Sequence, residues 1–460
     1  MMLNLYYKLP VFFQNLLITI YGYYWKRRRF GEVYKGDIIK WKERNFFTEK
    51  QWKVYQTKEL RKLLLHAFDT VPYYTEKYRK HGFKREDFIN FQLSDLKKLP
   101  FLEKEDYRKY GKTTLLSSKK EKGSFYFSSG SSGTPIAVYL SKKTHQKWNA
   151  AYEVRVRNWA KVNCNLSRGM IGGRKILKNQ FSKAPFYRFN RAENQLYFSA
   201  YHINYKNVDN YVDGMNIYEI DYLVGYANSI YFLSQLIIEK KLDPPVLKAV
   251  LVSSEKLTQE MRHLIEEAFS CKVYDAYSGV EACGLISEDE FGDLLFSPDT
   301  GVLEVVDINN LDVSNGEVGE VISTGLLNYD QPLIRYRIGD YVKISEDQSM
   351  KSLKKMLKID EISGRIEDVV VTKEGVKNVR FHSLFIDVKG LVLAQLIQET
   401  LLSFTINLVV DGNFTATNEK VIENRLIALV GEIETTKFNY KKELEKNNNG
   451  KIKFVISKIK

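Results

Sequence analysis

Phe127-Ser128-Ser129-Gly130-Ser131-Ser132-Gly133-Thr134-Pro135 is the stretch on which the reading of this chain turns. Glycines let backbone N–H groups turn toward an anion, and serine hydroxyls add further donors. The natural ligand of such a loop is a polyphosphate. It is not a Walker loop, because no Gly-Lys-Ser/Thr closes it and a strand, not a helix, follows. Phe125 to Phe127 and Ile136 to Leu140 read as strands on either side. A flexible linker is the alternative, although linkers are seldom set between two aromatic or β-branched strands.

Outward from this loop, Leu60, Leu63, Leu64, Ala67 and Phe68 fall at helical spacing, and the pattern stops before Val71-Pro72. Residues 1–110 therefore read as mainly helical. Lys248 to Val252 is a short apolar strand. Thr258 caps a helix whose apolar face is Met261, Leu264, Ile265, Ala268 and Phe269, and Lys272 to Tyr277 is a strand again. That order implies a crossover and a parallel pair. Leu303 to Val306 and Glu320 to Thr324 are two further strands, and residues 341–363 are polar and Lys-rich. After Gly364-Arg365 a smaller unit begins: strand (Val369 to Val371), helix, strand (Ser403 to Val410), helix, final strand (Ile452 to Ile456). The expected fold is multidomain α/β, with a large domain of parallel sheet flanked by helices at 1–364 and a small α+β lid at 365–460.

The chain has 460 residues and a formal charge of +14. That length suits two to four structural units. Hydrophobic content of 44% against 27% charged residues excludes wholesale disorder. Cys164, Cys271 and Cys283 cannot form a disulfide framework or a thiolate zinc site, which makes a reducing cytoplasm the expected compartment. The basic balance suits anionic ligands or an anionic membrane surface. Nucleic acid is not expected, because no helix-turn-helix, zinc finger or aromatic RNA-binding signature accompanies the charge. Leu9 to Trp25 is apolar but interrupted by Gln14, Asn15 and Gly22, and Lys26 to Arg29 follow it. It reads as a helix packed on the protein's own core, as an interfacial helix at the inner face of a membrane, or as a span.

Four other stretches bear on chemistry. Asp275-Ala276-Tyr277-Ser278-Gly279-Val280-Glu281 ends a predicted parallel strand, where ligands collect. Its aromatic can stack on a base and its carboxylate can hold Mg²⁺ with substrate phosphates, or it is a strand-to-helix turn with a buried Tyr. Pro332-Leu333-Ile334-Arg335-Tyr336-Arg337-Ile338-Gly339-Asp340 places an Asp after Gly at a strand end, able to accept from ribose hydroxyls, or forms a hairpin turn with an Arg–Asp pair. Gly364-Arg365-Ile366-Glu367-Asp368 reads as a charged linker or as a hinge with a nucleotide contact. Asn449-Gly450-Lys451-Ile452-Lys453 is a turn before a basic strand.

Taken in order, these five stretches resemble the adenylate-forming superfamily, most of all its phenylacetate–coenzyme A ligase-like branch with the capsular-polysaccharide-biosynthesis proteins. Leu9-Pro10, Gln14-Asn15-Leu16, Tyr21-Gly22, Val71-Pro72-Tyr73-Tyr74 and Gly225-Tyr226-Ala227-Asn228-Ser229 resemble the capsular type as well. The resemblance implies that a carboxylate attacks ATP, pyrophosphate leaves, and an acceptor (thiol, amine or sugar, with coenzyme A among them) displaces AMP from the acyl-adenylate. Ser128, Ser129, Gly130, Ser131, Ser132 and Gly133 would cradle phosphates. Tyr277 would pack on adenine, Glu281 bind Mg²⁺, and Asp340 hold the ribose. Arg365 would reach the ribose or phosphate, Glu367 serve as the lid's pivot, and Lys451 enter the site for adenylation, with Lys453 its competitor. Tyr201, His202, Tyr226 and Ser254 are candidates for the acyl pocket or for packing. Ser278 stands where the family has Gly, and Val280 where it has a Ser or Thr hydroxyl. A nucleotide-binding but catalytically impaired scaffold is therefore the alternative.

Overall fold

The structure is a computed structural model that describes residues 6–127, 136–174, 176–177, 182–349, 352–365, 370–371, 373, 377–378, 384–385, 388–445, 453 and 455–459. The chain forms two compact units. One comprises Met1–Ile338 with Ile344–Asp360, the other Gly339–Lys343 with Glu361–Lys460.

The first unit begins with helices α1 (Val11–Arg29), α2 (Glu32–Arg44), α3 (Glu49–Thr70), α4 (Pro72–Lys80) and α5 (Lys104–Tyr110). Thr48 starts α3 with a capping box: its hydroxyl accepts from the Gln51 N–H, and the Gln51 side chain accepts from the Thr48 N–H. The Leu60, Leu63, Leu64, Ala67 and Phe68 stripe is buried. Val71 is extended, as a residue before proline must be, and Pro72 opens α4. A hairpin of β1 (Gly123–Phe127) and β2 (Ala137–Ser141) follows, then α6 (Lys142–Tyr152).

The scaffold of the first unit is a 12-stranded mixed sheet. Its strands are β3 (Arg168–Gly172), β4 (Tyr187–Asn190), β5 (Gln195–Ser199), β6 (Tyr222–Tyr226), β7 (Ala249–Ser253), β8 (Val273–Ser278), β9 (Leu285–Glu288), β10 (Leu294–Phe296), β11 (Gly301–Val306), β12 (Val318–Gly325), β13 (Tyr336–Ile344) and β14 (Lys358–Arg365). The order is β11-β12-β13-β14-β10-β9-β8-β7-β6-β3-β5-β4. Strands β5, β3, β6, β7 and β8 run parallel, joined to antiparallel neighbours β4 and β9. Helices α7 (Val208–Ile217), α8 (Ala227–Glu239) and α9 (Gln259–Phe269) pack against this parallel part through Met215, Ile230, Leu233, Ile265 and Phe269. The predicted pair is β7 and β8 with α9 between them, and Thr258 caps α9 by accepting from the Met261 N–H.

Two expectations change here. Asp340 does not end a strand; it lies inside β13, after Gly339 at φ +82°. The pair of arginines before it does not meet an Asp in a hairpin turn. Arg335 instead grips Glu304 through Nε and Nη2 at 3.1 and 2.8 Å, and Arg337 donates to Glu320 at 3.1 Å. Phe101 lies between the two guanidinium groups, at 4.1 and 4.4 Å. Leu102 ties the segment to the N-terminal helices, donating to the Arg335 carbonyl at 2.9 Å and accepting from the Arg337 N–H at 3.1 Å.

α1 packs on the protein, with Ile18 against the core cluster, but mostly through its polar side. Its polar residues Gln14, Asn15 and Thr19 face the protein, while Phe12, Leu16 and Ile20 are exposed. No helix among the described residues is long and apolar enough to cross a membrane.

In the second unit, β15 (Val370–Val371) pairs with β16 (Lys377–Asn378). Strands β17 (Leu391–Gln398), β18 (Ser403–Val410), β19 (Thr435–Tyr440) and β20 (Val455–Ser457) form a sheet of order β19-β18-β17-β20, packed on α10 (Ala416–Val430). Part of the span between Val371 and Ser403 in which a helix is expected, residues 379–383 and 386–387 included, lies outside the described residues; the described part of it contains a strand that was not expected, β17. Its Leu, Ala and Gln residues favour helix by composition, but β17 pairs on both edges, with β18 and β20.

Arg335→Leu is expected to cost about 3–5 kcal/mol in urea unfolding, because Glu304 stays buried without its partner. Adding Glu304→Leu should restore part of that loss. A single variant as stable as the wild type would show that the pair does not hold this segment.

Candidate functional site

The hairpin β1–β2 closes at the pair Phe127–Ala137, so the Ser/Gly stretch springs from its tip. Ser128 to Pro135 themselves lie outside the described residues. What holds the hairpin is clear from its base. Gln331, fully buried, accepts from the Tyr139 N–H at 2.8 Å and donates to the carbonyls of Ala137 at 3.2 Å and Gly111 at 2.6 Å. Asn328 donates to the Tyr139 carbonyl at 3.0 Å. Asp330 accepts from the Glu121 N–H at 2.8 Å and from the Thr144 hydroxyl at 3.0 Å. Sequence reasoning passed over Asn328, Asp330 and Gln331. The one signal was three polar residues within four positions, in a loop between apolar runs, that turn out buried.

The same network reaches Glu281. Tyr107 donates to Gln331 Oε1 at 2.9 Å. Its phenol is held well above the ordinary value, first by burial and then by the charge of Glu281 beside it. Glu281 is itself buried, and its carboxylate fills the space over Gly279, where a Cβ would meet Oε2 at 2.3 Å. Glycine at 279 is therefore required for Glu281 to adopt this position. Tyr277 is half-buried near the end of β8, paired with Ile286, and Ser278 pairs with Leu285. A strand, not a helix, follows that turn. Val280 packs on the core cluster that contains Tyr107 and Cys283, so an apolar residue there suits its surroundings.

Around the carboxyl ends of the neighbouring parallel strands, the Tyr201 hydroxyl donates to the Gly173 carbonyl at 3.3 Å. Burial raises the phenols of both Tyr201 and Tyr226. Ser254 follows β7 at φ +71°, in the left-handed region that a non-glycine residue adopts at a cost. His202 shares a hydrogen bond of 2.7 Å with Ser199 and stacks on Phe186 at 5.1 Å, so it packs. A cavity of about 910 Å³ lies elsewhere, lined by Tyr34, Lys35, Lys42, Asn163 and Cys164 beside α2. It adjoins the opposite end of the parallel strands, since Asn163 accepts from Tyr222 at the start of β6.

In the second unit, Asp340 is buried and the Lys453 carbonyl accepts from Gln395 at 2.7 Å. Of Arg365 only the backbone, at the end of β14, is described. Glu367 and Lys451 lie outside the described residues. Among the described residues no group of three or more His, Cys, Asp or Glu could hold a metal ion. A single buried carboxylate such as that of Glu281 would hold a cation only where a bound phosphate chain and water supplied most of the ligands.

Comparison with known proteins places these features. Residues 370–458 match the family described as the CapK C-terminal domain. Over 467 aligned residues, covering 100% of both chains, the protein is 27% identical to Protein CapK of Staphylococcus aureus. It is 24% identical to phenylacetate-coenzyme A ligase of Pseudomonas putida, over 69% of this chain and 72% of that one. Among solved structures, 2-hydroxyisobutyryl-CoA ligase in the postadenylation state, in complex with R3-HIB-AMP, aligns with a TM-score of 0.68. That alignment has 16% identity and covers 90% of this chain and 91% of the other. An open conformation of the same ligase, in complex with 2-HIB-AMP and CoA, aligns at 0.55.

One titratable group on β8 gives a pH signature. Burial, and then the charge of Glu288, push the Asp275 carboxyl up to about 7, while Arg262 acts the other way. An unfolded Asp titrates near ~3.9, so between roughly pH 4 and 7 the folded chain holds one more proton than the unfolded one. Stability therefore falls as pH rises through that window. Asp275→Asn should remove the effect, melting above the wild type at pH 8 and level with it at pH 4. Parallel melting-temperature profiles for the two proteins would contradict the assignment.

Proposed function

From the premise that the chain belongs to the adenylate-forming superfamily, in its phenylacetate–coenzyme A ligase-like branch of the capsular type, we propose that it is an ATP-dependent ligase that activates a carboxylate as its acyl-adenylate and passes the acyl group to a thiol, amine or sugar. One observation carries this reading. The hairpin that bears the Ser/Gly loop is rooted on Gln331, and Gln331 is linked through Tyr107 to the surroundings of Glu281. A phosphate-binding loop and a cation-binding carboxylate need that neighbourhood.

In this proposal Ser128, Ser129, Ser131 and Ser132, with Gly130 and Gly133, donate to the β- and γ-phosphates, and Tyr277 packs on adenine. Glu281 holds Mg²⁺ together with those phosphates, and the ion supplies charge neutralisation for the departing pyrophosphate. Asp340 accepts from the ribose hydroxyls. Arg365 contacts the ribose or a phosphate, and Lys451, carried by the C-terminal unit, donates to the oxygens that gain charge as the carboxylate attacks. A hinge at Glu367 then exchanges Lys451 for the acceptor, which keeps water from a reactive mixed anhydride. Coenzyme A is one candidate acceptor, since a solved relative of the same fold is described in complex with CoA. Similarity to Protein CapK over the whole chain supports a role in capsule assembly, and cysteines that form no disulfide suit a cytoplasmic setting.

The test is ATP–pyrophosphate exchange with Mg²⁺, screened across amino acids and short or aromatic acids. At least one acid should support exchange. Lys451→Ala should lower it by about 10²–10³-fold without altering unfolding, as expected for loss of one donor to a transition-state charge. Exchange unchanged in Lys451→Ala would remove that residue from its role and turn attention to Lys453. ATP binding with no exchange for any acid would favour the impaired scaffold, in which the missing hydroxyl at Val280 decides the outcome.

A further inference from the structure

α1 is amphipathic in the reverse sense for a helix packed on its own protein. Phe12, Leu16, Leu17, Ile20, Tyr23 and Tyr24 are each 45–72% exposed. At the helical repeat they fall within about 140° of the circumference. The opposite side carries the polar residues together with Ile18 and Trp25, and it is the side docked on the protein. β4, which that side covers, is the last strand of the large sheet. Asn15 accepts from the Phe189 N–H of β4 at 3.0 Å, and the Thr19 hydroxyl accepts from the Arg191 N–H just beyond it at 3.1 Å. The Gln14 side chain accepts from Arg188. Gly22 lies so close to Asn190 that a Cβ would meet its Oδ1 at 2.2 Å. The helix therefore uses its polar side to satisfy an open sheet edge, which accounts for Gln14, Asn15, Thr19 and Gly22 but not for the apolar side.

Charge indicates what covers that side. No acidic residue precedes Glu32, whereas Lys8, Lys26, Arg27, Arg28 and Arg29 do. Arg28 donates to the Leu140 carbonyl at 2.8 Å and Arg29 pairs with Glu193 at 3.0 Å. Lys8, Arg27 and Arg191 are exposed, and Arg27 falls within the apolar arc at its C-terminal end. Aromatic and aliphatic side chains flanked by cations are what the headgroup region of an anionic bilayer accepts from a helix lying in its plane. With 19 residues and polar side chains along one side, α1 does not meet the length and hydropathy of a span.

We propose that α1 docks the protein on an anionic lipid surface, its apolar side among the headgroups and its polar side on β4. The docked helix lies against the hairpin that bears the Ser/Gly loop. Trp25 meets Tyr126 of β1 edge-on at 6.1 Å and His145 at 5.6 Å, and Arg28 lies over the Tyr126 ring. The adenylating end of the first unit is thereby held next to the membrane.

The experiment mixes the full chain with phosphatidylcholine vesicles, with and without phosphatidylglycerol. The protein should sediment with the anionic vesicles and bind at least tenfold more weakly to phosphatidylcholine alone or at high salt. Leu16→Glu with Ile20→Glu should abolish sedimentation, while the melting temperature and the pyrophosphate exchange without vesicles stay at the wild-type level. Should that variant misfold, Tyr24→Trp serves instead: brominated phosphatidylglycerol should quench its added emission, and brominated phosphatidylcholine should not. Three outcomes overturn the proposal: wild type remaining in the supernatant, sedimentation unaffected in a folded double-Glu variant, or a lipid-free dimer that this variant converts to monomers.

Discussion

The side-chain amide of Gln331 is the point on which the first unit's arrangement depends. Deep in the protein, an amide oxygen and nitrogen cost free energy unless every donor and acceptor is matched. Here they are matched by Tyr139, Tyr107, Ala137 and Gly111. Those partners belong to the hairpin, to α5 and to the turn that follows α5. One buried amide therefore sets the position of the hairpin against the N-terminal helices, and Asn328 and Asp330, just before it in the chain, also bond to the hairpin and the segments flanking it. The strands that carry the Ser/Gly stretch are useful to it only if they do not shift, and this network limits that shift.

The same logic recurs elsewhere in the first unit. Arg335 satisfies Glu304 and two backbone carbonyls at once. Asp299 receives both Arg44 and Arg155, at 2.8 and 2.9 Å, drawing α2 onto the sheet. Such buried ion pairs add little net stability compared with apolar packing, yet removing one partner is costly. They act as positional constraints between elements distant in sequence. α1 is held by the neutral version of this device, with side-chain amides and a hydroxyl seated on an edge strand. Because the polar side is committed to the protein, the apolar side is the one left facing outward.

The elements legible in advance were those with a strong local pattern. α3 follows from its Leu stripe and the Val71-Pro72 stop; β7, α9 and β8 follow from apolar runs separated by a capped amphipathic segment. The β1–β2 hairpin was legible from aromatic and β-branched runs on either side of the Ser/Gly stretch. β17 was missed because Leu391 to Gln398 is compatible with either helix or strand by composition, and only strands on both of its edges decide between them. The direction in which α1 faces was likewise hidden. The residues reveal that the helix has two sides, not that an open β4 edge claims the polar one.

The order of the five motifs and several local elements were therefore properties of the linear sequence, because loops, caps and strand ends depend on near neighbours. That Glu281 lies near Tyr107, which bonds the amide under the hairpin, was settled in three dimensions. Glu281 comes near the hairpin through Tyr107 and Gln331, residues separated from one another by 224 positions. No local propensity encodes that meeting. It arises because buried hydrogen-bonding groups must find partners wherever the folded chain brings them.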